Sequence, residues 1–294
     1  SAPIVHPTAI VGSGAQLGQG VKIGPYCIVS DNVVLHDNVE LLSHVSVDGY
    51  TELGAGTRIF PFASVGHEPQ DRKYHGESSR VVIGERCVIR ESVTINPGTE
   101  GGGMETRLGN DCLIMASAHV AHDAIIGNNV IMANYVGIAG HCQVGDNVIF
   151  GGTCVVHQFT RIGAHAFVGA HSMVDGDVIP YGMAVGNRAA LTGLNLVGLK
   201  RRKFDREAIH RLRAAYRQSG RAILRGLDVA VGATSKQISA VAISRGKVDR
   251  LSIPFWLPGG QKAVSAVKAR QTRRIERLDG QLASLRSERQ SRCP

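Results

Sequence analysis

Between residues 108 and 174 an apolar residue returns at every sixth position: Leu108, Ile114, Val120, Ile126, Met132, Ile138, Val144, Phe150, Val156, Ile162, Val168 and Val174. Four residues after each stands a smaller or branched one, from Cys112, Ala118 and Ala124 through to Ala166, Ser172 and Val178. A period of six is neither the 3.6 of an amphipathic helix nor the 2 of a simple strand. It is the pattern of a parallel β-helix, whose short strands bury their apolar faces only against the coils stacked on them. The same period opens the chain, at Val5, Val11, Leu17, Ile23 and Val29, and runs on to Ile59 and Val65. Large residues are expected in an interior column and small ones at tight corners. Gly12, Gly18, Gly24, Gly54 and Gly66 follow the apolar residue and are expected to give those corners positive φ.

Two stretches break the period. Residues 67–79 are polar and carry Pro and Gly, which predicts a loop over about 67–82. The register returns at Ile83, Ile89 and Ile95, with Cys87, Val93 and Thr99 in the second slot. Residues 97–103 then shift it by one, predicting a second loop over about 97–107. Loops on a rigid repeat are natural places for substrate contacts. The repeat ends near Val178, which sets an all-β solenoid over 1–185 and leaves 186–294 as linker and basic helical domain. Residues 186–203 read as linker, Asp205 as a helix cap, and residues 209–227 as an amphipathic helix with Ile209, Leu212, Ala215 and Tyr216 on one face. Pro254 and Gly259–Gly260 break any helix, and residues 262–290 read as a last basic segment, helical or disordered.

Charge divides the chain. Residues 1–195 hold 10 Lys and Arg against 17 Asp and Glu, a net −7, whereas residues 196–294 hold 23 against 7, a net +16. A basic segment on an acidic solenoid points to an anionic partner at that end, or simply to a solvated tail. Cys27, Cys87, Cys112, Cys142 and Cys154 all occupy the small-residue slot, as compact interior residues. With no zinc spacing among them, they are expected to be reduced thiols of a cytoplasmic protein. No signal peptide or membrane-spanning run is read, and nothing points to nucleic acid.

His119, His122, His141 and His157 share the long repeat. An imidazole serves as base for an attacking hydroxyl, and Asp123 beside His122 suits it as the group that fixes the tautomer. The same residues also fit solvated side chains on a coil, or, with His119, His122 and His141 as ligands, a zinc hydratase site between subunits.

Seven segments narrow this choice: 6–10 (HPTAI), 70–74 (QDRKY), 89–94 (IRESVT), 118–123 (AHVAHD), 139–141 (AGH), 156–159 (VHQF) and 198–202 (GLKRR). In this order they resemble the UDP-N-acetylglucosamine acyltransferases, the first acylating enzymes of lipid A synthesis, from the N-terminus to about Leu224. The resemblance implies a left-handed parallel β-helix with a C-terminal α-helical domain, and a homotrimer with active sites between subunits. It implies three hexads per coil, so that Gly140 lies one coil above His122. It further implies transfer of an (R)-3-hydroxyacyl group from an acidic acyl carrier protein to the sugar 3-hydroxyl, with no metal, cofactor or covalent intermediate. In these terms His122 is the general base, Asp123 its partner and Gly140 the oxyanion donor. Asp71 and Lys73 contact the glucosamine and its phosphates, His119 and His141 line the pocket, and His157, Gln158, Asn195 and Arg201 serve the nucleotide side. Met115 and Ala170 line the acyl groove, and Lys200, Arg201, Arg202 and Lys203 dock the carrier. Two features depart from the family. Ala170 stands where long-chain members have Gly, which predicts a somewhat shorter preferred chain. The tail after about residue 227, Trp256 included, has no family match; its residues 262–292 are expected to assist carrier docking.

Overall fold

The computed structural model describes residues 1–219, with side chains through Tyr216. Two-residue strands pair in parallel with strands one coil away: Ile4 with Lys22, Ile10 with Ile28, Gln16 with Val34. Every third strand therefore joins the same sheet, and three sheets of 11, 9 and 8 strands form the faces of a parallel β-helix. The faces are numbered here from the strands Ile4–Val5, Ile10–Val11 and Gln16–Leu17. Across the first loop, Arg58 pairs with Val88, 30 positions on rather than 18, so the loop adds two hexads' worth of chain and preserves the register. Across the second, Thr94 pairs with His119, 25 positions on, and the extra 7 residues explain the slip of one.

From the second coil on, at Val21 and Ile23, the apolar column is buried as the period requires, and so is the small-residue column, which faces inward just before each strand. Each fully buried Ile or Leu stabilises the stack by about 1.5–3 kcal/mol. The cysteines of this slot are free and buried. Burial pushes the Cys142 and Cys154 thiols up to about 11 and about 12, which makes them inert packing residues.

The corners are built differently from the expectation. Positive φ falls three residues after the apolar position, on non-glycine residues such as Tyr26, Asn38, Asp111, Asp123 and His141. Of the glycines named above, only Gly66 (φ +84°) is left-handed. Gly12, Gly18 and Gly54 are there because the next coil passes too close: a Cβ would lie 2.6, 2.6 and 2.5 Å from Asp31, Asp37 and Gly84.

Residues 186–203 are not a linker. The strand Gly182–Val185 extends the first face and turns into an antiparallel strand, Ala190–Leu194, followed by helix α1 (Leu196–Arg201). Helix α2 (Arg206–Ser219) follows, with the Asp205 carboxylate accepting from the Ala208 N–H at 2.6 Å, the expected cap. Ile209, Leu212, Ala215 and Tyr216 share its half-buried side. The expectations for residues 220–294, Trp256 and the segment 262–292 among them, lie outside the described residues.

An aromatic cluster fastens these helices to the coils. His165 stacks on Tyr181 at 5.0 Å between centroids, and Phe204 meets both edge-on. The His165 Nδ1 is buried without a hydrogen-bond partner among the described residues. Burial, reinforced by Arg202, lowers the His165 pKa. The unfolded chain therefore binds a proton more readily, so stability is lost as pH falls through the unfolded value near 6.5. His165→Phe keeps the ring and removes the titration. Thermal melts at pH 7.5 and 5.5 should show a smaller acid-induced drop in Tm for this variant than for wild type; equal drops would contradict the argument.

Candidate active site

The His122–Asp123 couple and both loops meet at one corner, where the chain passes from the second face to the third. The first loop leaves after Ser64–Val65 and rejoins at Arg80–Ile83; the second leaves after Thr94–Ile95 and rejoins at Glu105–Leu108. In the next coil the same corner, between His119–Val120 and Ile125–Ile126, holds His122 and Asp123. Both insertions thus sit beneath the histidine, on consecutive coils.

His122 is 7% exposed and Asp123 5%. Asp123 Oδ1 accepts from the Thr99 N–H at 3.0 Å, and Oδ2 accepts from the Thr99 hydroxyl at 2.6 Å. Oδ2 also lies 2.8 Å from His122 Nδ1. A carboxylate held by two donors can only accept from the ring, so Nδ1 carries the proton and the Nε2 lone pair is left free. Nε2 faces Asp71 Oδ2 of the first loop at 3.8 Å.

One coil above, the Gly140 N–H takes no hydrogen-bond partner among the described residues. Its place requires glycine, since a Cβ there would stand 2.6 Å from His122 Cε1 and Nε2. His141 packs edge-on against His122 at 4.9 Å and stacks on Phe159 at 4.5 Å. Burial lowers the His141 pKa, against the opposing pull of Asp123. His119, held by the Thr94 hydroxyl at 2.7 Å, is lowered by burial and then by His122. Both therefore favour the neutral imidazole.

Other expected residues lie further out. Lys73 is exposed on the first loop, its N–H bonded to Asp71 Oδ1 at 3.1 Å. Gln158 continues the column of His122 and Gly140, with His157 exposed beside it. Met115 and Ala170 both lie on the corner between the first and second faces, three coils apart. Asn195 is placed structurally: Oδ1 caps α1 at the Gly198 N–H, and Nδ2 donates to the His165 carbonyl. Lys200, Arg201 and Lys203 are exposed, but Arg202 departs from the docking expectation. Its half-buried guanidinium donates to the Asn147 carbonyl at 2.8 Å, which makes it a tether of the helices.

Thr99 and Thr106 hold Asp123 and were not singled out in the sequence. Thr99 stands in the second slot by sequence but lies on the second loop, where its N–H and hydroxyl serve Asp123; Thr106 fills the slot, level with Val81, and its hydroxyl accepts the Asp123 N–H at 2.8 Å. Gly102 passes so close that a Cβ would strike the Asp123 carboxylate. The register slip at 97–103 was the available signal. Ligand atoms of His122, Asp123 and His141 also come within 4.8 Å of one another, a set that could hold a metal ion. Both Asp123 oxygens are already engaged by Thr99 and His122, so the donor set suits a proton relay better than a coordination shell.

The six-repeat bacterial transferase hexapeptide model matches residues 105–140, and the model of the second domain of UDP-N-acetylglucosamine O-acyltransferase matches residues 177–241. An acyl-[acyl-carrier-protein]–UDP-N-acetylglucosamine O-acyltransferase of Rhizobium johnstonii is 54% identical over 213 residues, covering 72% of this chain and 78% of the relative. The chain belongs to the UDP-N-acetylglucosamine acyltransferase family. The family member of Paracoccus denitrificans is 57% identical over 167 residues, covering 57% of this chain; that match spans 64% of the relative's length. The solved UDP-N-acetylglucosamine acyltransferase of Campylobacter jejuni superposes with a TM-score of 0.71 at 40% identity, covering 74% of this chain and 85% of that one. The architecture is the left-handed parallel β-helix of this acyltransferase family.

Proposed function

We propose that this enzyme transfers an (R)-3-hydroxyacyl group from acyl carrier protein to the 3-hydroxyl of UDP-N-acetylglucosamine, the first step of lipid A biosynthesis, in the cytoplasm. The observation that carries the reading is the His122–Asp123 couple, with its free Nε2 packed beside Gly140 of the coil above. Nε2 takes the proton of the sugar hydroxyl as its oxygen attacks the thioester carbon. The Gly140 N–H donates to the developing oxyanion. Collapse breaks the C–S bond, and the imidazolium returns its proton to the departing thiolate of the carrier. Asp123 stays ionised and stabilises the imidazolium throughout. Asp71 and Lys73 bind the glucosamine and its phosphates beside Nε2, with His119 and His141 as neutral pocket walls.

A homotrimer with sites between subunits fits two further features. Val88, Leu113, Ile131, Ile149 and Phe167 stack in register on the outside of the first face, an apolar stripe suited to another copy. Arg201 is exposed on α1, which Asn195 caps, and among the described residues it makes no contact with the His122 corner of its own chain; this suits a phosphate contact to a neighbouring one. The exposed Lys200, Arg201 and Lys203 offer the acidic carrier protein a basic landing site. Among the described residues no helix is long and apolar enough to cross a membrane.

The acyl chain runs along the corner of Met115 and Ala170. Three coils at about 4.8 Å each give a groove of roughly 14 Å between them. The Ala170 methyl closes its far end, so Ala170→Gly should shift the preferred donor to longer chains, read by competition among carrier-bound chains; an unchanged profile would refute the assignment. The reaction itself is tested by supplying (R)-3-hydroxyacyl carrier proteins of several lengths with UDP-N-acetylglucosamine. Absence of the 3-O-acylated product with all of them would overturn the reading.

A further inference from the structure

The loops carry a second set of contacts that the catalytic couple does not use. Asn96 ends the strand Thr94–Ile95, is 7% exposed, and is locked to the next coil by its N–H on the Val120 carbonyl at 3.1 Å. Its side-chain amide turns the other way and donates to the carbonyls of His67 and Glu68, at 3.1 and 3.3 Å. These residues begin the first loop, immediately after the left-handed Gly66. The His67 ring is gripped from the coil below, Nε2 by the Ser46 hydroxyl at 2.8 Å and Nδ1 by Asp48 at 3.3 Å. At the far end, the Glu77 carboxylate accepts the N–H of Glu100 in the second loop at 3.0 Å and that of His75 at 2.8 Å. Between these anchors, Asp71 and Tyr74 close a turn, and Asp71 Oδ2 reaches His122 Nε2.

We infer that Asn96 is a positioning residue, whose amide fixes the departure of the first loop and so holds Asp71 at His122 Nε2. The inference rests on the reading that Asp71 binds the sugar nucleotide. A carboxamide is what the place demands: two acceptors converge on it, and both of its N–H groups are donors. The coils below and above have Gly66 and Ala121 at this position, neither of which offers a donor. The rigid ladder therefore sets the loop through one side chain.

The test separates donation from shape. Asn96→Asp keeps the size but cannot donate to two carbonyls, and Asn96→Ala removes both. Each should raise KM for UDP-N-acetylglucosamine on the order of tenfold, as expected for two lost hydrogen bonds, while KM for the acyl carrier protein stays put. Hydrogen exchange of residues 67–79 should quicken in both variants. Asp71→Asn combined with Asn96→Asp should cost less than the sum of the two, since both act on one contact. Unchanged exchange in Asn96→Asp would overturn the anchoring. A fall in kcat with both KM values unchanged would reduce Asn96 to a structural residue and overturn the positioning. Wild-type KM in Asp71→Asn alone would overturn the reading of Asp71 instead.

Discussion

Replacing His122 by Ala should lower kcat by about 10²–10⁴ while leaving KM for both substrates near wild type, because a positioned general base contributes about that factor. Asp123 is caged by the Thr99 N–H and hydroxyl, so it holds Nδ1–H and leaves Nε2 as a base. No neighbour can take over. His141 lies edge-on and tilts its Nδ1 toward Asp123 at 3.8 Å, and His119 is tied to Thr94. Steady-state assays with purified His122→Ala, its fold confirmed by circular dichroism, supply the check. Retention of more than a tenth of the wild-type kcat would move the base to another residue.

Gly140→Ala should be nearly as damaging, although it removes no functional group. The added Cβ would stand 2.6 Å from the Cε1 and Nε2 atoms of His122, so the ring must move from the place the proposed base requires. Displacing a reacting group by about 1 Å costs on the order of 10²-fold in rate. Gly137→Ala in the same coil is the control. Its Cβ would meet only Val155 Cγ1 at 3.4 Å, an ordinary contact, and that variant should keep most of its activity. Equal activities of the two variants would show that crowding of His122 is not what requires Gly140.

The coils were legible because each repeats one burial problem, and a six-residue period over so many copies has no competing explanation. The corners were misread through a true property of glycine applied at the wrong place. Left-handed residues such as Tyr26 and Asn38 carry side chains that point outward into solvent, whereas the glycines answer to the backbone of the next coil. The hairpin at Gly182–Leu194 was hidden because its single antiparallel pairing, irregular between Met183 and Ala184, leaves no period to read. At the site, His122 and Asp123 announced themselves by adjacency. Asp71 lies 51 positions away in sequence and joins them only through the folded corner. Thr99 was misassigned because an interior threonine and an aspartate-holding threonine look alike in a pattern that records only size and polarity. Arg202 shows the converse: one cation of a basic run can be claimed by the fold itself.

The two insertions share one corner for a reason that reaches past this reaction. Ladder bonds run from coil to coil, so chain extruded between two faces breaks none of them, and its length is invisible to the coils on either side. Folding and chemistry are thereby written on separate parts of the polymer. The stack can be selected for persistence while its corner is rewritten residue by residue, and a new acceptor would require new loops but no new scaffold.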